Sequence, residues 1–505
     1  MLPRLDETDQ WWPMSGPLRK RSVAVCNNRG RVCAPAQLDP AVGLGFVALR
    51  VRGLGDEGGV VLGAAQGLCV VLPAGERDSV VGLVASSVLR DRPTIDACDA
   101  LTMGRTIWAN GMIFDGTGAD ASVADIAVEE GRIVEIGVGL DGDESVDLSG
   151  HLVTPGLFDC HVHFMVDGDF SPTTYAETPF SMRFYLAAER MRRTLATGVT
   201  TVREAGGSDL GVKEAQEQGL IEGPRMQISI AILSQTGGHG DGWHVCGAHM
   251  PMELDPYPGM PDNVVDGPDE MRRKVRELVR AGADVIKVCT SGGVLSSRSD
   301  PQHAHFKADE LDVLMAEATG AGRFVMAHAQ ATNGIKNAIR AGIRSIEHGI
   351  YLDDEAIQMM LDAGTYLVPT LVAPLGVLDA ADQGIELPQV IIDKARAVVD
   401  VHQESFRRAV EAGVTIAMGT DSGVMPHGNN LRELQLMADL GMSPTAVLES
   451  TTRIASELMG VDSTLGTIEV GKVADLVAFT GTDLEVTDLK PRVAHVVQAG
   501  QEIAL

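Results

Sequence analysis

The chain has 505 residues, is 45% hydrophobic and carries a formal net charge of -28. That is enough apolar material for a large buried core, so wholesale disorder is excluded. The acidic balance argues against nucleic acid or an anionic membrane as a partner.

The seven cysteines include no CxxC pair, which fits reduced thiols better than a disulfide framework. The start, MLPRLDETDQ, has no apolar signal region, and no run is long enough to span a membrane. A cytoplasmic protein is the expectation.

Residues 1–102 form a poorly patterned N-terminal extension. GPLRKRSVAVCNNRGRVCAPAQ mixes a basic cluster with turn formers, and VVLGAAQGLCVVL has neither a period of 2 nor one of 3.6. Either it is an extra small domain or it stands outside the working protein, with Met103 as the start.

From 103 to 156 the pattern sharpens into short strands, in TIWANGMIFDGTG, ASVADIAVEEGRIVEIG and VDLSGHLVTPG, separated by Gly-containing turns. A matching set over 461–505, GTIEVGKVADLVAFTG and RVAHVVQAGQEIAL, predicts one small β-sandwich built from both flanks of the chain.

Residues 157–460 alternate strands with amphipathic helices. The strands are GLFDCHVH, TTVREAG, MQISIAIL, ADVIKVCT, FVMAHA, RSIEHG, TYLVPT and TIAMGTD. Helical patterns such as EMRRKVRELVRAG and NGIKNAIRAG end in Gly, as a left-handed C-terminal cap favours. The fold class is α/β: eight strands with intervening helices predict a (β/α)8 TIM barrel, with a doubly wound open sheet as the alternative.

Ionisable residues fall at the C-terminal ends of these strands: His161 and His163, Lys287, His328, His348 and Asp421. In a barrel those ends meet on one face. Two histidines two apart on a strand point the same way, so both can reach one ion. Imidazole and carboxylate suit zinc and similar metals. A lone strand-end histidine is ordinarily a satisfied rim residue; six such groups from five strands are the signal.

Lys287 lies in the apolar run ADVIKVC, where an ammonium is costly to bury. A neutral amine there can add carbon dioxide to give a carbamate whose two oxygens could bridge two cations. The alternative is a lysine paired with a nearby carboxylate.

From about Arg105 onward the chain resembles the amidohydrolase superfamily, through PGLFDCHVHF, TTVREAGG, GGHGDGWH, VIKVCTSGGV, AHAQ, RSIEHGIYLDDE, MGTDSG and GTIEVGKVADLVAF. Within it the likeness is to the imidazolonepropionase-like group, which includes Xaa-Pro dipeptidases and N-acyl amino acid hydrolases. The resemblance implies two divalent metals, with zinc the expected ion. His161, His163 and Asp421 would hold the first, His328 and His348 the second, and carboxylated Lys287 would bridge them. In several dipeptidases of the group a substrate-binding Tyr stands where this chain has Gln330, which counts against a dipeptide as the substrate.

The expected reaction is hydrolysis of an amide or peptide C–N bond, with Asp421 passing a proton to the leaving nitrogen. His239 and His244 sit in a long Gly-rich loop after the third strand. His239 is a candidate to bond the substrate carbonyl, against a reading as a local turn contact. His244 and His427 are further candidates for substrate contact. Arg203 could anchor a carboxylate or form an internal ion pair with Glu204 or another acid. Cys160 should point away from the ligand face as a buried thiol.

SGGV lacks a phosphate-loop pattern and reads as a tight turn. A deaminase, cyclic imide hydrolase or lactonase on the same scaffold is the competing enzyme reading, and a non-catalytic binding protein the third. A small-molecule substrate and a homo-oligomer are expected.

Overall fold

The computed structural model describes residues 104–169, 171–249 and 256–505, together with the backbone of six short strands between Ser22 and Val84. The chain divides into two compact units, Met1–Leu101 and Thr102–Leu505. In the first, Ser22–Cys26 pairs antiparallel with Val32–Gln37, and Val61–Ala64 with Leu68–Val71. How the side chains of the expected N-terminal extension are arranged lies outside the described residues.

The second unit opens with β1 (Thr106–Ile113), β2 (Ser122–Glu129), β3 (Arg132–Gly137), β4 (Glu144–Asp147) and β5 (His151–Pro155). Glu130 and Gly131 join β2 to β3 with φ of 48° and 75°, the left-handed pair that a tight hairpin needs. The strands that follow are β6 (Leu157–Val162), β7 (Val199–Glu204), β8 (Arg225–Ile228), β9 (Ile232–Leu233), β10 (Val285–Cys289), β11 (Phe324–Ala329), β12 (Ser345–His348) and β13 (Tyr366–Val368). The chain closes with β14 (Leu476–Thr480), β15 (Val493–Gln498) and β16 (Gln501–Glu502).

The two flanks share one sheet, in the order β16-β15-β14-β5-β1-β2-β3, with β4 paired to β1. Its apolar face buries Trp108, Ile126, Val153, Ile468 and Leu476.

The middle region is parallel throughout: β6-β7-β8 and β9-β10-β11-β12-β13. β6, β7 and β10 are buried along their whole length, as expected of parallel strands covered on both faces. The predicted third strand is split in two at Ile230, which takes a φ of 70°. The predicted eighth, TIAMGTD, is not a regular strand. It is held by the isolated parallel bridges Leu367↔Ile416 and Val162↔Ser422. The Cys160 N–H donates to the Met418 carbonyl at 2.9 Å and the Ala417 N–H to that of Leu367 at 3.0 Å, so this segment lies between β13 and β6.

Helices cover the strands in a mixed α/β architecture. Pro268–Ala281, Thr332–Ala341 and Gln389–Ala412 end on Gly282, Gly342 and Gly413 in the left-handed conformation. No helix among the described residues is long and apolar enough to cross a membrane.

Candidate metal centre and active site

Parallel pairing sets the site. β6 delivers His161 and, just beyond its end, His163; β10 delivers Lys287, β11 His328 and β12 His348, while Asp421 follows the bridged segment beside β6. All six predicted residues line one cavity of about 60 Å³. One ligand atom each from His161, His348 and Asp421 lies within 4.8 Å of the others. Asp421 Oδ1 stands 3.5 Å from His161 Nε2 and 3.3 Å from His163 Nε2, and Lys287 Nζ is 3.2 Å from His161 Nε2.

Each imidazole has one nitrogen fixed from behind. His161 Nδ1 meets Glu347 Oε2 at 2.8 Å, His163 Nδ1 the Gly206 carbonyl at 2.9 Å, and His348 Nδ1 the Thr370 hydroxyl at 2.7 Å. His328 is reversed: its Nε2 meets the Gly292 carbonyl at 2.9 Å, which leaves Nδ1 for the cavity. The donor set suits a divalent ion, because neutral imidazoles with one nitrogen held and one open are what such a centre requires.

Electrostatics agree for three of the four imidazoles. Burial, then the charge of neighbouring groups, holds His161, His328 and His348 well below the ordinary imidazole range. His163 is raised: burial opposes its charge, but the bond to Asp421 overcomes it. Burial lowers the Lys287 ammonium. Burial also pushes Asp421 toward the neutral acid, yet His161, His163 and Lys287 together hold it ionised, below the usual carboxylate range.

Three of the residues at this centre, His348, Thr370 and Asp421, adopt positive φ of 71°, 54° and 59°. Such conformations are costly for residues with a Cβ and collect where a site imposes them.

His239 lines the same cavity. Its ring stacks on His328 at 4.2 Å, its Nδ1 is 3.1 Å from the Ser296 hydroxyl, and burial with His305 nearby lowers it to about 3. Gln330 also lines it, buried, and its Oε1 has no hydrogen-bond partner among the described residues. His244 lies on an adjoining chamber of about 720 Å³.

His427 goes elsewhere. Its Nε2 is bonded to the His163 and Val166 carbonyls at 3.0 and 3.1 Å, and its ring stacks on Phe164 at 5.0 Å, so it braces the loop after β6 and lines neither the metal cavity nor the adjoining chamber. Arg203 is likewise internal, paired with Glu347 at 2.9 Å and not with Glu204. Cys160 is buried in a cluster with Phe158 and Val368, and burial pushes its thiol up to about 12. Gly292 and Gly293 of SGGV press against the site: a Cβ on Gly293 would overlap the His239 ring.

Sequence reading missed three buried groups. Glu347, fully buried, accepts from His161, Arg203 and Ser345. Asp159 receives the His161 and Thr420 backbone N–H groups at 3.1 Å each, along with the Thr420 hydroxyl and the Asn430 amide. Burial raises Asp159 to about 6. His402, on the long helix Gln389–Ala412, meets the His348 carbonyl at 2.9 Å. Glu347 and Asp159 carried the same signal as Lys287, a charge inside an apolar strand.

Comparison with known proteins makes this chain a hydrolase acting on carbon–nitrogen bonds. The chain belongs to the amidohydrolase family, whose profile matches residues 152–503. It is 33% identical over 441 residues to ochratoxinase of Aspergillus niger, covering 82% of this chain and 89% of that protein. It is 25% identical over 391 residues to imidazolonepropionase of Fusobacterium nucleatum, covering 70% and 84%. Among solved structures, a Xaa-Pro dipeptidase with methionine in its active site matches with a TM-score of 0.72 at 34% identity, covering 79% of this chain and 99% of that one.

Proposed function

We propose that this protein is a binuclear metal-dependent hydrolase that cleaves an amide or peptide C–N bond at the mouth of a (β/α)8 barrel. Hydrogen bonds that run from β6 to β13 and return through residues 415–421 to β6 support the barrel. The observation that carries the function is Lys287: a buried amine 3.2 Å from His161 Nε2, in the cavity it shares with His161, His163, His328, His348 and Asp421. Similarity to a Xaa-Pro dipeptidase and to ochratoxinase supports a C–N bond of amide type.

His161 Nε2, His163 Nε2 and Asp421 would hold one ion, His328 Nδ1 and His348 Nε2 the other, and Lys287, carboxylated by carbon dioxide, would reach both. Zinc is the ion we expect. When bound, such a pair polarises a carbonyl and makes water acidic enough to attack near neutral pH. Asp421 is the proton carrier: it accepts the proton from the attacking water and delivers it to the departing nitrogen, which could not leave as an anion. His239 is neutral, and a Ser296 hydroxyl donated to its Nδ1 leaves Nε2–H to bond the carbonyl oxygen as negative charge grows. Gln330 Oε1 is an acceptor for a substrate N–H.

The test is a screen of N-acyl amino acids and dipeptides against protein reconstituted with zinc and bicarbonate, with ammonia assayed in parallel. Metal-dependent release of the amine supports the reading. Release of ammonia alone, from a protein holding one metal, overturns it in favour of a deaminase.

A further inference from the structure

The helix Gln389–Ala412 sends one lysine, Lys394, to the loop that follows β10. Its half-buried ammonium donates to three backbone carbonyls of that loop: Ser296 at 2.7 Å, Gly293 at 3.4 Å, and Ser299. Three acceptors match the three N–H donors of an ammonium. Among the described residues no carboxylate forms an ion pair with it, although the charge of Asp300, next to Ser299, acts on it.

The same three residues build a second chain of bonds through their other polar groups. The Gly293 N–H donates to Ser299 Oγ at 3.3 Å, Ser299 Oγ meets Ser296 Oγ, and Ser296 Oγ lies 3.1 Å from His239 Nδ1. A hydroxyl carries one hydrogen, so the chain runs one way. Ser299 accepts from Gly293 and donates to Ser296, and Ser296 donates to His239. Nδ1 of His239 is then the acceptor, and its proton sits on Nε2. The Gly293 carbonyl, at 3.5 Å, is the longer alternative for the Ser296 hydrogen, and Lys394 already donates to that carbonyl.

We infer that Lys394 is a positioning residue: by tying the carbonyls of Gly293, Ser296 and Ser299 to one ammonium, it keeps the hydroxyl relay in register and holds His239 in place in the metal cavity. The consequence for turnover rests on the proposed role of His239 as donor to the substrate carbonyl. Lys394 lines neither the metal cavity nor the adjoining chamber, so it acts only through the loop. Its loss should therefore appear in kcat, with metal content unchanged.

The experiment uses the full chain loaded with zinc and bicarbonate, and it has two arms. The first reads the placement of His239 without turnover, by carbethoxylation with diethyl pyrocarbonate located by peptide mass. His239 and His427 are both buried in wild type, and both should react slowly. In Lys394→Met, His239 should react at least about tenfold faster while His427 stays protected. An unchanged rate at His239 overturns the inference. If His427 is labelled as well, the variant has opened as a whole, and Ser296→Ala, which cuts the relay one bond further on, takes its place under the same criterion.

The second arm is a double-mutant cycle, with release of methionine from N-acetyl-L-methionine as the readout. Lys394→Met should lower kcat by about 10- to 100-fold in wild type but by less than about twofold in a His239→Gln background, because the two residues act as one unit. Lys394→Arg, which keeps the charge but spreads its donors over a planar fork, should fall between. Equal losses in the two backgrounds would mean that Lys394 serves the fold alone, and no loss in either would also overturn the inference. If wild type does not cleave this amide, or His239→Gln is fully active, it is the proposed reaction or the role of His239 that fails, and labelling of His239 decides the placement by itself.

Discussion

His161 and Glu347 face one another from β6 and β12, with Nδ1 2.8 Å from Oε2, both side chains buried. The other Glu347 oxygen accepts from Arg203 at 2.9 Å, so the carboxylate is held in place and fixes His161 with its proton on Nδ1 and Nε2 toward the cavity. Replacing Glu347 by Gln should therefore weaken metal binding by about 10- to 100-fold. Competition against a graded chelator series would show it, and unchanged affinity would mean that Glu347 serves Arg203 alone.

Asp421→Asn keeps a side chain of the same shape but removes the proposed proton acceptor. Turnover should fall by at least about 100-fold while the melting temperature and circular dichroism stay near wild type. Near-normal kcat would remove Asp421 from proton transfer.

Gly293→Ala tests His239 without touching it. The added Cβ overlaps the His239 ring, which must turn or shift. We expect kcat to fall by about 10- to 100-fold with metal content unchanged. A fully active Gly293→Ala variant would show that the placement of His239 is immaterial to the reaction.

Buried neutral histidines fix the direction of acid sensitivity. Burial lowers His402 to about 4, against an ordinary value of about 6.5 in the unfolded chain. Between those values the unfolded chain binds the extra proton, so stability is complete above about pH 6.5 and is lost as pH falls toward 4, by about 3 kcal/mol for this one group. His427, lowered in the same way to about 4, acts in the same direction. Urea unfolding of metal-free protein at stepped pH should show the loss, with a shallower slope in His402→Gln. Identical slopes in the two proteins would contradict it.

Much of the site was legible in the sequence because its chemistry sits on strand tips. A period of two makes HVH point both imidazoles one way, and charges inside VIKVC and at the ends of FVMAHA and SIEH cannot be there for solubility. Family and reaction class followed from those residues. Glu347 in SIEH and Asp159 in LFDCHV carry the same signal, each a carboxylate in an apolar strand. Other features were hidden for physical reasons. His427 carried no sign of direction, since a histidine in a loop reads the same whether it bonds substrate or the carbonyls of a neighbouring turn. The eighth strand was expected as regular structure, but Asp421 takes a φ of 59° and Gly419 packs tightly against His161 and Val368, so the segment pairs only by isolated bridges.

On the proposed function, Lys287 joins two metals. The direct measurement is the number of metal ions bound per chain, by elemental analysis of zinc- and bicarbonate-loaded protein, in wild type and in Lys287→Met. Two are expected in wild type and one or none in the variant. One ion in wild type, or two in both proteins, would contradict it.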